Sequence, residues 1–206
     1  MQKLFLFPLK IVIYPGSNYS LHIFEERYKK MINICLNEKH GFGIVSKFKD
    51  DISKIGTYVE ITKVTRKYPD GKFDIIIKGI RRFIVVSSSL HEDGYLIGNT
   101  HPYYDTILEI DKNIIETALN KFINILQKIK LKLDPVFWQN LSGTPIKSFK
   151  IAEKSGLSLE QQQELLVLQD ETQRLNFLIG HLEKLEKFIS ESKVVREIVE
   201  GNGYLN

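Results

Sequence analysis

The hydrophobic pattern changes period near residue 104. Before it, short β-branched and aromatic runs alternate with turn residues; after it, apolar residues recur at three- and four-residue steps. Leu4–Phe7 and Ile11–Tyr14 are β-prone runs punctuated by Pro8 and Pro15, with Pro15-Gly16 as a turn. Phe42–Phe48 is a further strand, entered through Gly41 and Gly43. Gly56–Lys67 and Lys72–Ile77 flank Pro69-Asp70-Gly71, where Pro sets φ and Gly accepts a positive one, so this segment predicts a hairpin. Gly79 interrupts the second arm as a bulge or barrel corner would, Arg81–Val86 continues it, and Tyr95–Tyr104 is the last strand. Strands this short and this closely spaced predict a small barrel or sandwich.

One helix interrupts the strands. From Phe24 to about Leu36, residues Phe24, Tyr28, Met31, Ile32 and Cys35 form one apolar stripe. Glu25 and Glu26 sit in the first turn, as the helix dipole prefers. Cys35 lies on the stripe, which suits a packed thiol better than a reactive one.

Beyond Asp105, Thr106–Glu109 resembles a capping box, and Ile110 to Ile129 reads as a long amphipathic helix that ends by Asp134-Pro135. Phe137 and Trp138 follow, then a loop over Ser142–Pro145. A short helix covers about Ile146–Lys154 and stops at Ser155-Gly156. Ser158-Leu-Glu-Gln161 is a second capping box, opening a helix over Leu159–Leu168. Leu175, Leu178, Leu182, Leu185 and Ile189 form the seam of a helix over Glu171–Lys193. That seam fits packing within one chain, or a short coiled-coil dimer. Val194–Asn206 is expected to fray. The expected architecture is therefore α+β: a β-barrel lobe over 1–104 with one embedded helix, then a helical bundle lobe over 105–206.

Composition narrows the class. A hydrophobic content of 43% is ordinary for a folded domain and argues against global disorder. One cysteine excludes an intrachain disulfide framework, and no apolar run approaches the roughly 18 residues of a spanning helix. A reducing, cytoplasmic setting without a membrane partner follows as the expectation. The net charge of +4 is unevenly shared: residues 1–105 carry +5 and residues 106–206 carry −1. No run of five or six like charges marks a nucleic-acid arm.

The catalytic templates fail in turn. The sequence has no P-loop, Gly-x-Gly-x-x-Gly, Gly-x-Ser-x-Gly or His-Glu-x-x-His. Ser46–Lys49 and Ser190–Lys193 fit Ser-x-x-Lys, but in polar stretches expected to be exposed, within a Lys-rich chain where such matches arise by chance. His22, His40, His91, His101 and His181 are scattered without metal-ligand spacing, with His181 expected on the exposed side of its helix. Neither a metal nor another cofactor is implied. The tyrosines near the strands, Tyr14, Tyr19, Tyr58, Tyr68, Tyr95, Tyr103 and Tyr104, would suit base stacking on a β-platform, but Tyr is also an ordinary strand former.

Read together, Leu6-Phe-Pro8-Leu9, Tyr14-Pro15-Gly16, Leu21-His-Ile-Phe24-Glu25 and Arg27-Tyr28 resemble the opening of the Lon substrate-binding (N-terminal) domain family. Ile55-Gly56-Thr57, Pro69-Asp70-Gly71 and Gly79-x-x-Arg82-Phe83 fit its later part. In the helical half, Gln162–Leu166, Asp170 and Arg174-Leu175 stand at its spacings. The resemblance spans roughly residues 1–190. It implies a PUA-like β-barrel joined to a helical bundle, and contact with unfolded or damaged polypeptides in protein quality control. The sequence ends where the ATPase and Ser–Lys peptidase parts of a Lon protease would begin, so the expectation is a stand-alone, non-enzymatic binding protein.

The motif residues Pro8, Pro15, Gly16, Phe24, Glu25, Arg27, Tyr28, Gly56, Gly79, Arg82 and Phe83 also have structural readings. Pro15-Gly16 shapes a turn and Phe24 belongs in the core. Glu25 satisfies helix amides, Arg27 pairs with a carboxylate or barrel carbonyl, and Arg82-Phe83 anchors the barrel wall. An apolar surface between barrel and bundle, or an open barrel edge, is expected to hold extended peptides by main-chain pairing and loose apolar contacts. Tyr19, His22, Tyr103, Phe137 and Trp138 are the candidate contacts, chosen as large residues in expected loops and junctions. The partner is then an unfolded polypeptide or a specific client, with a separate protease as a further partner. The alternative is RNA binding through the basic barrel lobe. The sequence leaves the oligomeric state open.

Overall fold

In the computed structural model, which describes residues 1–49, 51–106 and 110–201 with side chains through 191, the strands are β1 (Gln2–Leu9), β2 (Asn18–Ile23), β3 (Phe42–Phe48), β4 (Asp51–Ile52), β5 (Ile55–Lys67), β6 (Phe73–Leu90) and β7 (Leu96–Pro102). Helix α1 (Glu26–Glu38) lies between β2 and β3. Five strands close into a ring in the order β1-β7-β6-β5-β3. The closing pair is β1 with β3, which run parallel from Leu6↔Gly43 to Leu9↔Ser46; the other ring pairs are antiparallel. β2 pairs with the Phe73–Lys78 half of β6, and β4 adds to the end of β3.

Ring segments such as Phe42–Ser46 of β3 and Ile55–Val59 of β5 are buried on both faces, so their side chains do not alternate between apolar and polar. Leu4, Leu6, Val45, Tyr58 and Phe83, with Leu96 and Val85 against them, come from all five ring strands and fill the interior. On the opposite face, Tyr28, Met31, Ile32 and Cys35 of α1 pack against Phe7, Phe42, Ile44, Val59, Ile75 and Ile77. Phe7 stacks on Tyr28 at 3.9 Å between ring centroids. Burying each such side chain stabilises the fold by about 2 kcal/mol. So small an interior leaves little room: a Cβ at Gly56 would lie 2.4 Å from Ile44 O and 2.8 Å from Phe83 Cζ. Cys35 is packed in this core, and burial pushes its thiol up to about 12, which removes it as a nucleophile at neutral pH.

Two strand expectations change. Ile11–Tyr14 is not a strand but a buried segment tied to the ring by the Thr57 hydroxyl, which donates to Ile13 O at 2.5 Å. Asn18–Ile23, expected as a connection, is β2. As expected, Arg81–Val86 continues the second hairpin arm, and both belong to one strand, β6, which starts at Phe73. The pairing steps from Tyr58↔Arg81 to Val59↔Gly79, so the bulge falls at Ile80 beside Gly79. There the Pro15-Gly16 turn crosses: Gly16 N–H donates to Gly79 O at 2.8 Å and Gly79 N–H to Ser17 O at 2.9 Å. A Cβ at Gly79 would sit 2.2 Å from Tyr14 O.

The remaining helices are α2 (Lys112–Lys128), α3 (Pro135–Gly143), α4 (Lys147–Ala152), α5 (Leu159–Val167) and α6 (Glu171–Gly201). The expected capping box at 106–109 extends into residues outside the described ones; α2 begins at Lys112 with the Asp111 carboxylate accepting from Asn113 N–H at 2.9 Å. α3 was not expected as a helix. Asp134, expected to end the preceding helix, caps α3 instead by accepting from Val136 N–H. The Ser158–Gln161 capping box is present with both of its hydrogen bonds. α6 runs to Gly201, beyond the expected end at Lys193, and residues 202–206 of the expected frayed tail lie outside the described residues.

The contacts divide the chain into two compact units, Met1–Thr106 with Ser158–Gln169, and Ile107–Leu157 with Asp170–Asn206. This corrects the single boundary expected at 104/105: α5 groups with the barrel. The Gln163 amide explains part of that, with Nε2 donating to Ile55 O at 2.9 Å and Oε1 lying 2.7 Å from Ser46 Oγ. In the helical unit, Arg174 is fully buried, its Nη2 3.0 Å and Nε 3.1 Å from Glu171 Oε2, with Nε also 3.0 Å from Ser148 Oγ. Glu171 in turn accepts the Ser148 N–H at the start of α4. Gly79→Ala is expected to destabilise the protein by about 2–4 kcal/mol through the forced backbone shift. Gly180→Ala, in open space within α6, is expected to stabilise it by about 0.5–1 kcal/mol; urea unfolding of both variants checks the pair.

Candidate functional site

β2 is the one strand of the barrel unit that carries two of the candidate residues. Its pairing with β6 sets their directions. Tyr19, Leu21 and Ile23 stand opposite Ile77, Ile75 and Phe73 on the core-facing side, and His22 stands opposite Asp74 on the other. Burial falls off along the row: Ile23 is buried and Leu21 half-buried, while Tyr19 at the open end is 43% exposed. Among the described residues β2 pairs with β6 alone, so its second edge is unpaired.

A polar–aromatic cluster surrounds His22. Its Nδ1 lies 2.6 Å from Asp74 Oδ1, and the Tyr68 hydroxyl donates to Asp74 Oδ2 at 2.7 Å. The His22 ring stacks on Phe24 at 6.0 Å and meets Tyr68 edge-on at 5.7 Å; the Arg66 guanidinium lies 4.6 Å above the Tyr68 ring. The hydrogen bonds from His22 and then Tyr68 hold the Asp74 carboxyl below its ordinary value, and the bond to Asp74 raises that of Tyr68. Phe24, expected in the core, is 58% exposed, because helix α1 starts only at Glu26 and leaves Phe24 outside the buried stripe.

The other motif residues serve local structure. Gly16 adopts φ +85° in its turn. The Glu25 side chain makes no helix cap; it accepts from Arg27 Nε at 2.9 Å and Nη2 at 2.6 Å, and Arg27 Nη1 also reaches Gly94 O at 3.4 Å. Pro8 is half-buried in β1, and Tyr28 and Phe83 are core. Arg82 is buried and gathers the end of α5: Nη1 donates to Leu166 O at 2.5 Å and Leu168 O at 2.7 Å, and Nη2 pairs with Asp105. Its guanidinium also lies 4.9 Å over the Tyr103 ring, whose hydroxyl donates to Val167 O at 2.8 Å. Tyr103, a candidate contact, is thereby committed to holding α5.

Phe137 and Trp138 belong to the helical unit. Phe137 is buried, 6.0 Å from Phe122 and edge-on to Trp138 at 5.5 Å. Trp138 is half-buried and lines an open apolar groove. A smaller concavity of about 300 Å³ in the barrel unit lies by Phe5, Tyr58 and Ile97. Its polar neighbours are engaged: Tyr58 Oη accepts Gly41 N–H at 2.8 Å and His40 Nδ1 lies 2.8 Å from Gly41 O.

The Ser-x-x-Lys match at Ser46 is not exposed, as expected, but buried, with Oγ 2.9 Å from Ile11 O; at Ser190–Lys193 the lysine side chain lies outside the described residues. His181 is half-buried rather than exposed, with Nε2 2.8 Å from Ser155 O. Among the described residues no group of three or more His, Cys, Asp or Glu is placed to hold a metal ion, and no helix is long and apolar enough to cross a membrane.

The features together are those of an α+β recognition scaffold, with an open strand edge, exposed aromatics and an apolar groove. The family model of the ATP-dependent protease La (LON) substrate-binding domain matches residues 3–184, and the chain belongs to that family. It is 23% identical over 205 residues to the Lon protease of Vibrio parahaemolyticus, covering 92% of this chain and 25% of that protein. With the Lon protease of Buchnera aphidicola the identity is 28% over 208 residues, covering 93% and 26%. The chain thus spans about a quarter of the length of these relatives. Among solved structures, the Lon N-terminal domain protein of Xanthomonas campestris is similar with a TM-score of 0.68 and 27% identity, covering 87% of this chain and 98% of that one. The N-terminal domain of the Mycobacterium avium complex Lon protease shares the fold, with a TM-score of 0.67 and 16% identity, covering 88% and 98%.

Arg82→Leu is expected to cost about 3–5 kcal/mol in urea unfolding, since it removes the buried cation that binds Asp105 and the α5 carbonyls. Hydrogen exchange should quicken in α5 first. The Asp74 contacts have a definite pH sign. A depressed carboxyl adds stability above its ordinary value of 3.8 and loses it as pH falls through the lower folded value. Carboxyl carbon NMR is expected to give an Asp74 midpoint below 3.8, and a midpoint at or above it would refute the network.

Proposed function

We propose that this protein is a non-catalytic module of the Lon substrate-binding type that holds exposed segments of unfolded polypeptides in the cytoplasm and passes them to an ATP-dependent protease. The observation that carries this reading is the unpaired edge of β2, flanked by exposed Tyr19 and Phe24. A strand edge offers N–H and C=O groups to any extended chain, so it binds without demanding one sequence. The neighbouring rings add apolar contact that is equally tolerant. Family membership supports the substrate-binding role; the unfolded character of the ligand is the step taken here.

Fluorescence anisotropy of the protein with a labelled, unfolded casein-like polypeptide and with a single-stranded RNA, at about 50 and about 300 mM salt, tests the proposal. Casein binding is expected to change little with salt, and Tyr19→Ser/Phe24→Ser to weaken it about tenfold with the fold intact. RNA binding alone, collapsing as salt rises, would replace this reading with the nucleic-acid one. Casein affinity unchanged in the double variant would remove β2 as the site.

A further inference from the structure

The helical unit carries a concavity of about 690 Å³ at the junction of α2 and α3. Its apolar wall comprises Ile123, Leu126, Leu133 and Trp138, and Gln127, Lys130, Leu131 and Lys132 complete the lining. The turn that builds it follows from the end of α2. Leu131 N–H donates to Leu126 O at 2.9 Å and Lys130 N–H to Gln127 O at 3.1 Å, a closure that sets Leu131 back against the helix. Lys130 takes the left-handed conformation this closure needs, with φ +54°. Lys132 and Leu133 then run on with no backbone hydrogen bond among the described residues, up to Asp134, which caps α3.

Charge selects the occupant. Two of the three lysines of α2 are neutralised: Lys121 pairs with Glu183 at 3.0 Å and Lys128 with Glu186 at 2.6 Å. Lys130 and Lys132 have no ion-pair partner among the described residues, and no carboxylate lines the groove. The C-terminal dipole of α2 offsets only about half of one charge. The nearest carboxylate in sequence, Asp134, is engaged by Val136 N–H. An apolar wall under two ammonium groups that no described carboxylate compensates favours an apolar ligand with negative charge and works against a basic one. The free main chain at Lys132–Leu133 favours an extended ligand.

We infer that this groove is a second polypeptide site, selective for extended apolar segments interspersed with Asp or Glu. It shares with the proposed function only the class of ligand, a polypeptide, and lies in the other compact unit from β2.

Trp138 is the single tryptophan of the chain and lines the groove, so its emission reports occupancy directly. The probes are a ten-residue peptide alternating Glu with Leu and Phe, and its counterpart with Lys for Glu. The Glu peptide is expected to shift the emission to the blue and saturate, with the Lys peptide bound at least about tenfold more weakly. Lys130→Glu/Lys132→Glu, two exposed positions whose backbone conformation is unchanged in kind, is expected to reverse that order. Equal binding of the two peptides, an unmoved emission, or an unreversed order in the variant would overturn the inference. So would a stronger response to oligouridylate or to phosphatidylserine vesicles, or an emission that changes with protein concentration alone, which would assign the groove to another class or to a second copy. The Tyr19→Ser/Phe24→Ser protein separates the two readings: loss of casein binding there with the Trp138 response intact leaves the groove standing, and loss of the Trp138 response alone leaves β2 standing.

Discussion

Backbone pairing along β6 is the constraint on which the barrel unit depends. At 18 residues β6 is longer than any of its neighbours, and β5 follows most of it through three register shifts. On its other side it changes partner: β2 pairs with Phe73–Lys78 and β7 with Phe83–Leu90. The bulge beside Gly79 lies between the two, and the chain before β2 crosses there because no side chain obstructs it. Closure is then completed by β1 and β3, so β2 is left outside the ring. An antiparallel strand excluded from a closed ring retains one unpaired edge, which makes the open edge a consequence of how the barrel closes rather than a separate feature.

Two buried arginines perform analogous work in the two units. Helices end with carbonyls that have no partner within the helix, and begin with amides in the same state. Arg82 satisfies the carbonyls at the end of α5 with a cation. Arg174 neutralises Glu171, which accepts the amide at the start of α4. In both cases the guanidinium fork links an ion pair to a helix terminus, and a lysine could not serve both partners in that geometry. These arginines are therefore unavailable to a ligand, although both occur in motifs that mark the family.

The sequence made local structure legible wherever it was determined by neighbouring residues. Pro69-Asp70-Gly71 turns the β5–β6 hairpin, Ser158 and Gln161 cap α5, and the stripe from Tyr28 to Cys35 packs on the sheet. Partners distant in sequence were not legible. Ile11–Tyr14 has strand composition, yet its carbonyls accept from the Thr57 and Ser46 hydroxyls and its neighbours cross Gly79, which no local pattern encodes. β2 was missed because its row is only partly buried and its outward residues, Asn18, Ser20 and His22, read as a loop. The periodicity of α5 fixed its length and cap but not the unit it joins, which depends on Gln163 and Arg82. Phe24 fits the helical spacing of the stripe but lies two residues before the start of α1, so it escapes the buried face. Of the candidate contacts, Tyr19, His22 and Trp138 are accessible, whereas Phe137 is core and Tyr103 is bound to α5; size and expected loop position do not distinguish these cases.

Net charge misleads for a related reason. The +5 of the first half suggested a basic face, but it is a net sum, and several of the basic residues behind it sit directly beside a carboxylate. Arg27 pairs with Glu25, Lys30 with Asp93, Lys72 with Asp70 and Arg82 with Asp105. The first three, which are exposed, add little stability, yet all four lower the potential that an approaching phosphate chain would meet. The second half is nearly neutral in sum, and nevertheless places Lys130 and Lys132 without ion-pair partners, among the described residues, beside an apolar wall. A ligand responds to the charges left uncompensated where it binds, over distances of about a Debye length, roughly 8–10 Å at moderate salt. On that scale the neutral half offers the more selective electrostatic surface, and its apolar wall directs the selection toward polypeptide rather than phosphate.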